Sequence, residues 1–336
     1  MSVTINGHPK RVGLALSGGG FRAAAFHLGV LRQLHAYGLL WKLDVLSCVS
    51  GGSIAGAYLA SRWRSPTVLD ELEHYLRNKS IAVSSVIGGV LDPFESRLAK
   101  LANTYDRDLF AGRLLAALDQ GPRTYVNATN LATGNLFFFV AGGGLPAEMG
   151  EHELGVVPAE SFPIAQAVAA SSAFPPVFPP LRLDPADYAP AEKVGYVTLT
   201  DGGIYDNLGV NPLLRDRNAL DYLIVSDGGK PFEIKIDPTT SGAVVLKEGL
   251  DIMMEQIRGL QFDRIDHRAK AKVGPIPLWF SIDSGLGQVM DGDAAFASSI
   301  KTDLRALKAE ELAVLGRHAG GLLTHRIREY APELLA

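Results

Sequence analysis

The chain has 336 residues, a formal net charge of −4, and a composition that is 47% hydrophobic and 20% charged. That balance excludes a disordered chain and allows a large core in one big or two modest domains. The negative charge argues against wholesale binding of nucleic acid, and a lone cysteine, Cys48, excludes an intrachain disulfide or a multi-cysteine zinc site.

The first residues, MSVTINGHPKRVG, lack the charged-then-apolar pattern of a secretory leader, and no run reaches about 18 uninterrupted apolar residues. A cytoplasmic protein is expected, touching membranes only peripherally. The sequons Asn78-Lys79-Ser80 and Asn127-Ala128-Thr129 then read as chance.

Val12–Leu16 is a short apolar run that enters Ser17-Gly18-Gly19-Gly20, and Arg22–Ala36 follows with helical spacing. Leu43–Val49 repeats the pattern, ending at Ser50-Gly51-Gly52 before a helix over Ser53–Trp63. Two strand–turn–helix units in a row predict a parallel α/β sheet. Thr67–Asn78 and Pro93–Asp119 read as amphipathic helices, with a break near Ile87-Gly88-Gly89. Thr124–Asn130 and Asn135–Ala141 form a predicted hairpin. Ile164–Ser171 is a helix stopped by Phe174-Pro175-Pro176. Val194–Thr200 and Tyr222–Ser226 are strands ending at Asp201-Gly202-Gly203 and Asp227-Gly228-Gly229. Ala243–Arg264 and Lys301–Gly316 read as long helices, the first with its apolar side toward the core. One domain over 1–336 is expected, with a core of about 10–230 and a helical part at 240–336.

In an open α/β sheet, ligands bind beyond the carboxyl ends of the strands. The loop Ser17–Arg22 can turn several backbone N–H groups toward one point at a helix N-terminus, and so hold a phosphate or an oxyanion. A plain tight turn is the bland reading. Gly18-x-Gly20-x-x-Ala23 also fits a relaxed dinucleotide fingerprint, but the second strand ends in Val49-Ser50 rather than an acid. A P-loop fails because no Gly-Lys-Ser/Thr closes the turn. No cofactor and no metal is expected.

Cys48-Val49-Ser50-Gly51-Gly52 resembles a nucleophile elbow, in which a serine sits on a sharp turn between strand and helix with small neighbours. Cys48 stands where the pattern has its first glycine. Ser53 is a rival, but it falls in the first helical turn, where it reads as a capping residue. A serine nucleophile needs a base, and Asp201 and Asp227 both end apolar strands. No histidine sits at a predicted strand end, which favours a Ser–Asp dyad over a triad.

At these residues the sequence resembles the patatin-like phospholipase family. Gly18-Gly19-Gly20-Phe21-Arg22 is similar to the family's oxyanion loop, Ser50-Gly51-Gly52 to its elbow, Ala169–Pro175 to its A-S-x-A-x-P segment, and Asp201-Gly202-Gly203 to its D-G-G/A motif. Asn127–Leu131, Asn207 with Asn211-Pro212, and Thr302-Asp303-Leu304 add to it. The resemblance implies a three-layer α/β/α sandwich with a mostly parallel central sheet. It implies Ser50 as nucleophile, Asp201 as general base, the amides of Gly18, Gly19, Gly20 and Gly51 as oxyanion donors, and Arg22 as support for the loop or for a substrate phosphate. The expected partner is a membrane or micellar phospholipid, met peripherally, and Val86–Phe94 is the best lid candidate. The alternatives are a broad carboxylesterase and a non-catalytic phosphate- or nucleotide-binding protein.

Overall fold

The computed structural model describes residues 3–81, 97–229, 231–232 and 241–335, so the lid candidate Val86–Phe94 lies outside the described residues. A small hairpin, β1 (Val3–Ile5) and β2 (His8–Lys10), stands apart from the main sheet. β3 (Val12–Leu16) is buried throughout and enters α1 (Gly20–Ala36), and β4 (Val45–Val49) repeats the unit with α2 (Gly51–Ser61). α3 (Val68–Asn78) and α4 (Arg97–Tyr105) follow. β5 (Arg123–Asn130), β6 (Leu136–Gly142), β7 (Leu145–Glu151) and β8 (Gly155–Pro158) form an antiparallel meander. Next come α5 (Ile164–Ser171), β9 (Leu181–Leu183), β10 (Val197–Asp201) and the short α6 (Gly203–Asp206). β11 (Tyr222–Asp227), α7 (Gly242–Lys270), β12 (Ile276–Ser281), α8 (Asp293–Ser299) and α9 (Ala309–Tyr330) complete the fold.

The strands beyond the first hairpin make one sheet in the order β12-β11-β3-β4-β5-β6-β7-β8, with β10 on β5 and β9 on β10. From β12 to β5 the strands run parallel, so their carboxyl ends share one edge. Alternation of side chains along the strands fills two faces. Leu14, Leu16, Leu46, Cys48 and Ile224 pack with α1, α2, α3 and α9. Ala15, Val45, Leu223 and Val225 pack against Leu208, Val210, Leu213, Leu220 and Ile265 of α7. This is the expected three-layer arrangement.

One topological detail positions the site. β4 pairs with β5 from Arg123 to Asn127, and β10, antiparallel, takes Ala128 to Asn130. β6 occupies the other edge of β5 over Thr124–Thr129, so β4 and β10 share one edge and meet end to end. The residue after β4 is Ser50, and the last residue of β10 is Asp201.

Three expected elements differ. The helix expected to reach Asp119 gives way to a π turn at Asp106–Phe110 and ends where Ala111 (φ 49°) and Gly112 (φ 74°) take left-handed backbone. The apolar side of α7 is not core-facing: Ile252, Met253 and Leu260 are exposed, while Met254, Ile257 and Ile265 face the protein. The segment around Leu208–Leu220 already covers that face of the sheet, so α7 touches it along one stripe. The last helix starts later and runs further than Lys301–Gly316. Gly316 read as a stop, yet it lies inside α9, where a Cβ on Gly29 of α1 would come within 2.7 Å of its Cα. Gly29, which has no Cβ, lets α1 and α9 approach closely there. Among the described residues no helix is long and apolar enough to cross a membrane.

Candidate active site

Ser50 sits between β4 and α2 with φ 51° and ψ −118°, a conformation that a side chain adopts only when its surroundings impose it. Its N–H donates to Ser171 Oγ (2.9 Å), and its carbonyl accepts from Ser53 N–H (2.9 Å). A Cβ on Gly51 would run into the Gly20 backbone, and one on Gly52 into Leu16 and Ser17, so neither neighbour tolerates a side chain. Cys48 fits where a glycine is usual because Gly56 of α2 leaves room for its sulfur. Its thiol donates to the Tyr125 carbonyl (3.1 Å), and burial pushes its pKa up to about 12, so it stays protonated. Ser53 is fully buried with its hydroxyl on Ser171 Oγ (2.8 Å), whereas Ser50 keeps partial exposure.

Asp201 closes β10 against this elbow. Its N–H donates to the Ala173 carbonyl (3.1 Å), and its own carbonyl accepts from Thr129 Oγ1 (2.8 Å). Burial pushes its carboxyl up to about 7, opposed by hydrogen bonds from Gly203 N–H (2.7 Å) and from the Ser50 side chain. Asp227, the other strand-end acid, is equally buried but is held by Arg258, whose Nε donates at 2.6 Å. Burial raises its carboxyl as well, with Arg258 pulling the other way.

The glycine loop lies beside Ser50: a Cβ on Gly18 would fall 3.3 Å from that of Ser50. One expectation changes here, because the Gly18 N–H is spent on the Asn207 carbonyl (3.0 Å). Gly19 and Gly20 start α1 and Gly51 starts α2, where first-turn amides have no intrahelical acceptor. Gly19 (φ 137°) and Gly20 (φ 61°) both need glycine's freedom. The loop is braced from several sides. Ser17 Oγ accepts from Gly228 N–H (2.8 Å), its carbonyl accepts from Gly52 N–H (3.1 Å), and Phe21 N–H donates to the Asp303 carbonyl (2.9 Å). Arg22 is fully buried, donating to the carbonyls of Ile300 (2.9 Å) and Gly228 (3.1 Å). That geometry suits a brace for the loop better than a receptor for a substrate phosphate.

Four of the histidines have other engagements. His27, buried and pushed down to about 4, uses both ring nitrogens, on Ser226 Oγ (2.8 Å) and the Ser17 carbonyl (2.9 Å). His267 bonds the Asp263 carbonyl, His318 the Ile282 carbonyl, and His325 meets Glu329. Asn127 is fully buried, its amide on Ser47 Oγ and the Cys48 carbonyl, which leaves its sequon no surface. Sequence reasoning missed two structural partners of the site: His27 under the loop, and Ser171 under the elbow. Ser171 lay within a segment already singled out, but no local pattern points from it to Ser50.

Comparison with known proteins bears on the whole arrangement. The chain is similar to human GIVD cytosolic phospholipase A2, at 13% identity with a TM-score of 0.62, covering 97% of this chain and 60% of that one. It is also similar to that enzyme in complex with the inhibitor methyl gamma-linolenyl fluorophosphonate and terbium chloride, at 14% identity, a TM-score of 0.58 and coverage of 97% and 59%. The chain thus spans about three fifths of the length of those structures, and at such identity the likeness concerns the fold. No curated relative matches it in sequence. The family model described as Patatin-like phospholipase matches residues 14–214, from β3 past Asp201. The chain belongs to the patatin-like phospholipase family.

Proposed function

We propose that this protein is a serine lipid acyl hydrolase that cleaves acyl esters of phospholipids or related lipids, with Ser50 as nucleophile and Asp201 as general base. The observation that carries the reading is the strained Ser50 at the end of β4, met end to end by β10 and its buried Asp201 carboxyl. Family membership supports the acyl hydrolase class.

The chemistry follows from the geometry. Asp201 accepts the hydroxyl proton as Ser50 Oγ attacks the ester carbonyl. A carboxyl near 7 is a far better base than an ordinary aspartate and is still ionised in part at neutral pH. The amides of Gly19, Gly20 and Gly51 stabilise the tetrahedral oxyanion, and the positive ends of α1 and α2 add to it. Protonated Asp201 returns its proton to the departing alkoxide. It then takes one from the water that attacks the acyl-enzyme and passes it to Ser50 Oγ as the acid leaves. No histidine is required. The substrate is met at a membrane or micelle surface, peripherally.

A fluorophosphonate probe tests the assignment. Labelling of the wild type and loss of both label and ester hydrolysis in Ser50→Ala is the expected result. A chain that takes no label would be a phosphate-binding protein using the loop as an anion nest. Equal turnover of short-chain esters and phospholipid micelles would make it a broad carboxylesterase.

A further inference from the structure

We infer that Ser171 is the positioning residue that sets the Ser50–Asp201 pair. The inference rests on the reading of Ser50 and Asp201 as nucleophile and base. Ser171 ends α5 and is fully buried. Its Oγ accepts the Ser50 N–H at 2.9 Å and pairs with Ser53 Oγ at 2.8 Å. Its carbonyl accepts the N–H of Gly202, next to Asp201, at 3.2 Å. Two residues on, the Ala173 carbonyl accepts the Asp201 N–H (3.1 Å) and Thr200 Oγ1 (2.8 Å). The segment 171–173 therefore holds both halves of the pair, which otherwise belong to strands of opposite direction.

The side-chain half of this bracket is the sensitive one. The Ser50 N–H lies past the β4 ladder, which ends at Val49, and before the first turn of α2. Ser171 Oγ is what satisfies it. An N–H at this junction deprived of its acceptor turns toward another, and rotation of that peptide carries the Ser50 side chain with it. The Ser50 side chain is also one of the two groups that hold the Asp201 pKa down against burial. Misplacing Ser50 thus impairs the nucleophile and raises the pKa of its base together.

The test uses the full chain, a soluble short-chain ester and a fluorophosphonate probe. Ser171→Ala is expected to lower kcat roughly 10–10²-fold with KM within about twofold, the cost of a sub-ångström to 1 Å misplacement. Its acid limb should move above that of the wild type. Labelling should slow by a similar factor yet reach one probe per chain, which separates misplacement from misfolding. Ser171→Thr, which keeps the oxygen, should recover most of the rate, and Ser53→Ala, which leaves Ser171 Oγ to Ser50, should cost less than about threefold with an unmoved limb. A wild-type labelling rate and an unmoved limb in Ser171→Ala would overturn the inference. So would a loss confined to the labelling endpoint, since that is a folding effect alone. A wild-type chain that takes no label overturns the reading of Ser50 itself, and the inference with it.

Discussion

Asp201 is under two opposed demands. As a base it must be ionised, while full burial favours its neutral form and raises it to about 7. Activity toward a neutral ester should therefore fall as pH drops below about 7, as a single titration in kcat/KM. The same shift has a sign for stability. Between the ordinary aspartate value of about 4 and the folded value of about 7, the native state holds a proton that the unfolded chain has lost. Stability contributed by this group falls as pH rises through that window. Asp201→Asn keeps the shape and removes the titration. Its melting temperature should exceed that of the wild type at pH 8, with the gap closing toward pH 4, while kcat falls roughly 10²–10⁴-fold. Asp227→Asn should do the reverse. It strips Arg258 of its buried counter-ion, destabilising by on the order of 3 kcal/mol, and leaves the folded enzyme active. Catalytic loss at Asp227 alone, seen in the same assay, would reassign the base. The two acids were legible in the sequence because each ends an apolar run before a glycine pair. The partner that distinguishes them, Arg258, was not, because it arrives from a distant helix.

At the scale of elements, the glycine turns are where sequence and structure agree most closely. A strand, a glycine-rich turn and a helix are local patterns, so β3–α1 and β4–α2 could be read within a few residues. The state of each amide could not, since Gly18 N–H is taken by Asn207 and Phe21 N–H by Asp303. Gly19 offers the sharpest test of the loop. Its φ of 137° excludes most side chains, and a Cβ there would sit 2.9 Å from the Gly228 carbonyl. Gly19→Ala must shift that backbone and tilt the amides that face the oxyanion. We expect kcat to fall by roughly 10²-fold or more with KM little changed. A change in KM alone, measured on the same soluble ester, would mean that the loop binds substrate rather than the transition state. Helices were harder to bound where glycine serves packing instead of turning. Gly316 looked like a terminus, yet it lies inside α9 at the point where Gly29 of α1 packs on its backbone.

At the scale of the whole molecule, the family match ends at residue 214, but the structure continues the sheet beyond it. β11 lies between β12 and β3, and β12 escaped notice because Pro277 breaks its strand pattern. Proline is tolerated there because β12 is an edge strand. The later residues also complete the site from behind. Arg22 donates to Gly228 and Ile300, Phe21 N–H to Asp303, Ser17 Oγ accepts from Gly228, and α9 packs along α1. A chain cut after Leu214 would keep Ser50 and Asp201, yet expose the β3 edge, uncover the apolar side of α1 and take the Ile300 and Gly228 carbonyls from Arg22. An unpaired strand edge and a bared apolar face are what such a fragment cannot afford. Residues 1–214 should therefore show no cooperative thermal transition and take no fluorophosphonate label, while the full chain does both. A fragment that melts cooperatively and labels at Ser50 would mean that the segment after 214 is an accessory rather than part of the catalytic fold.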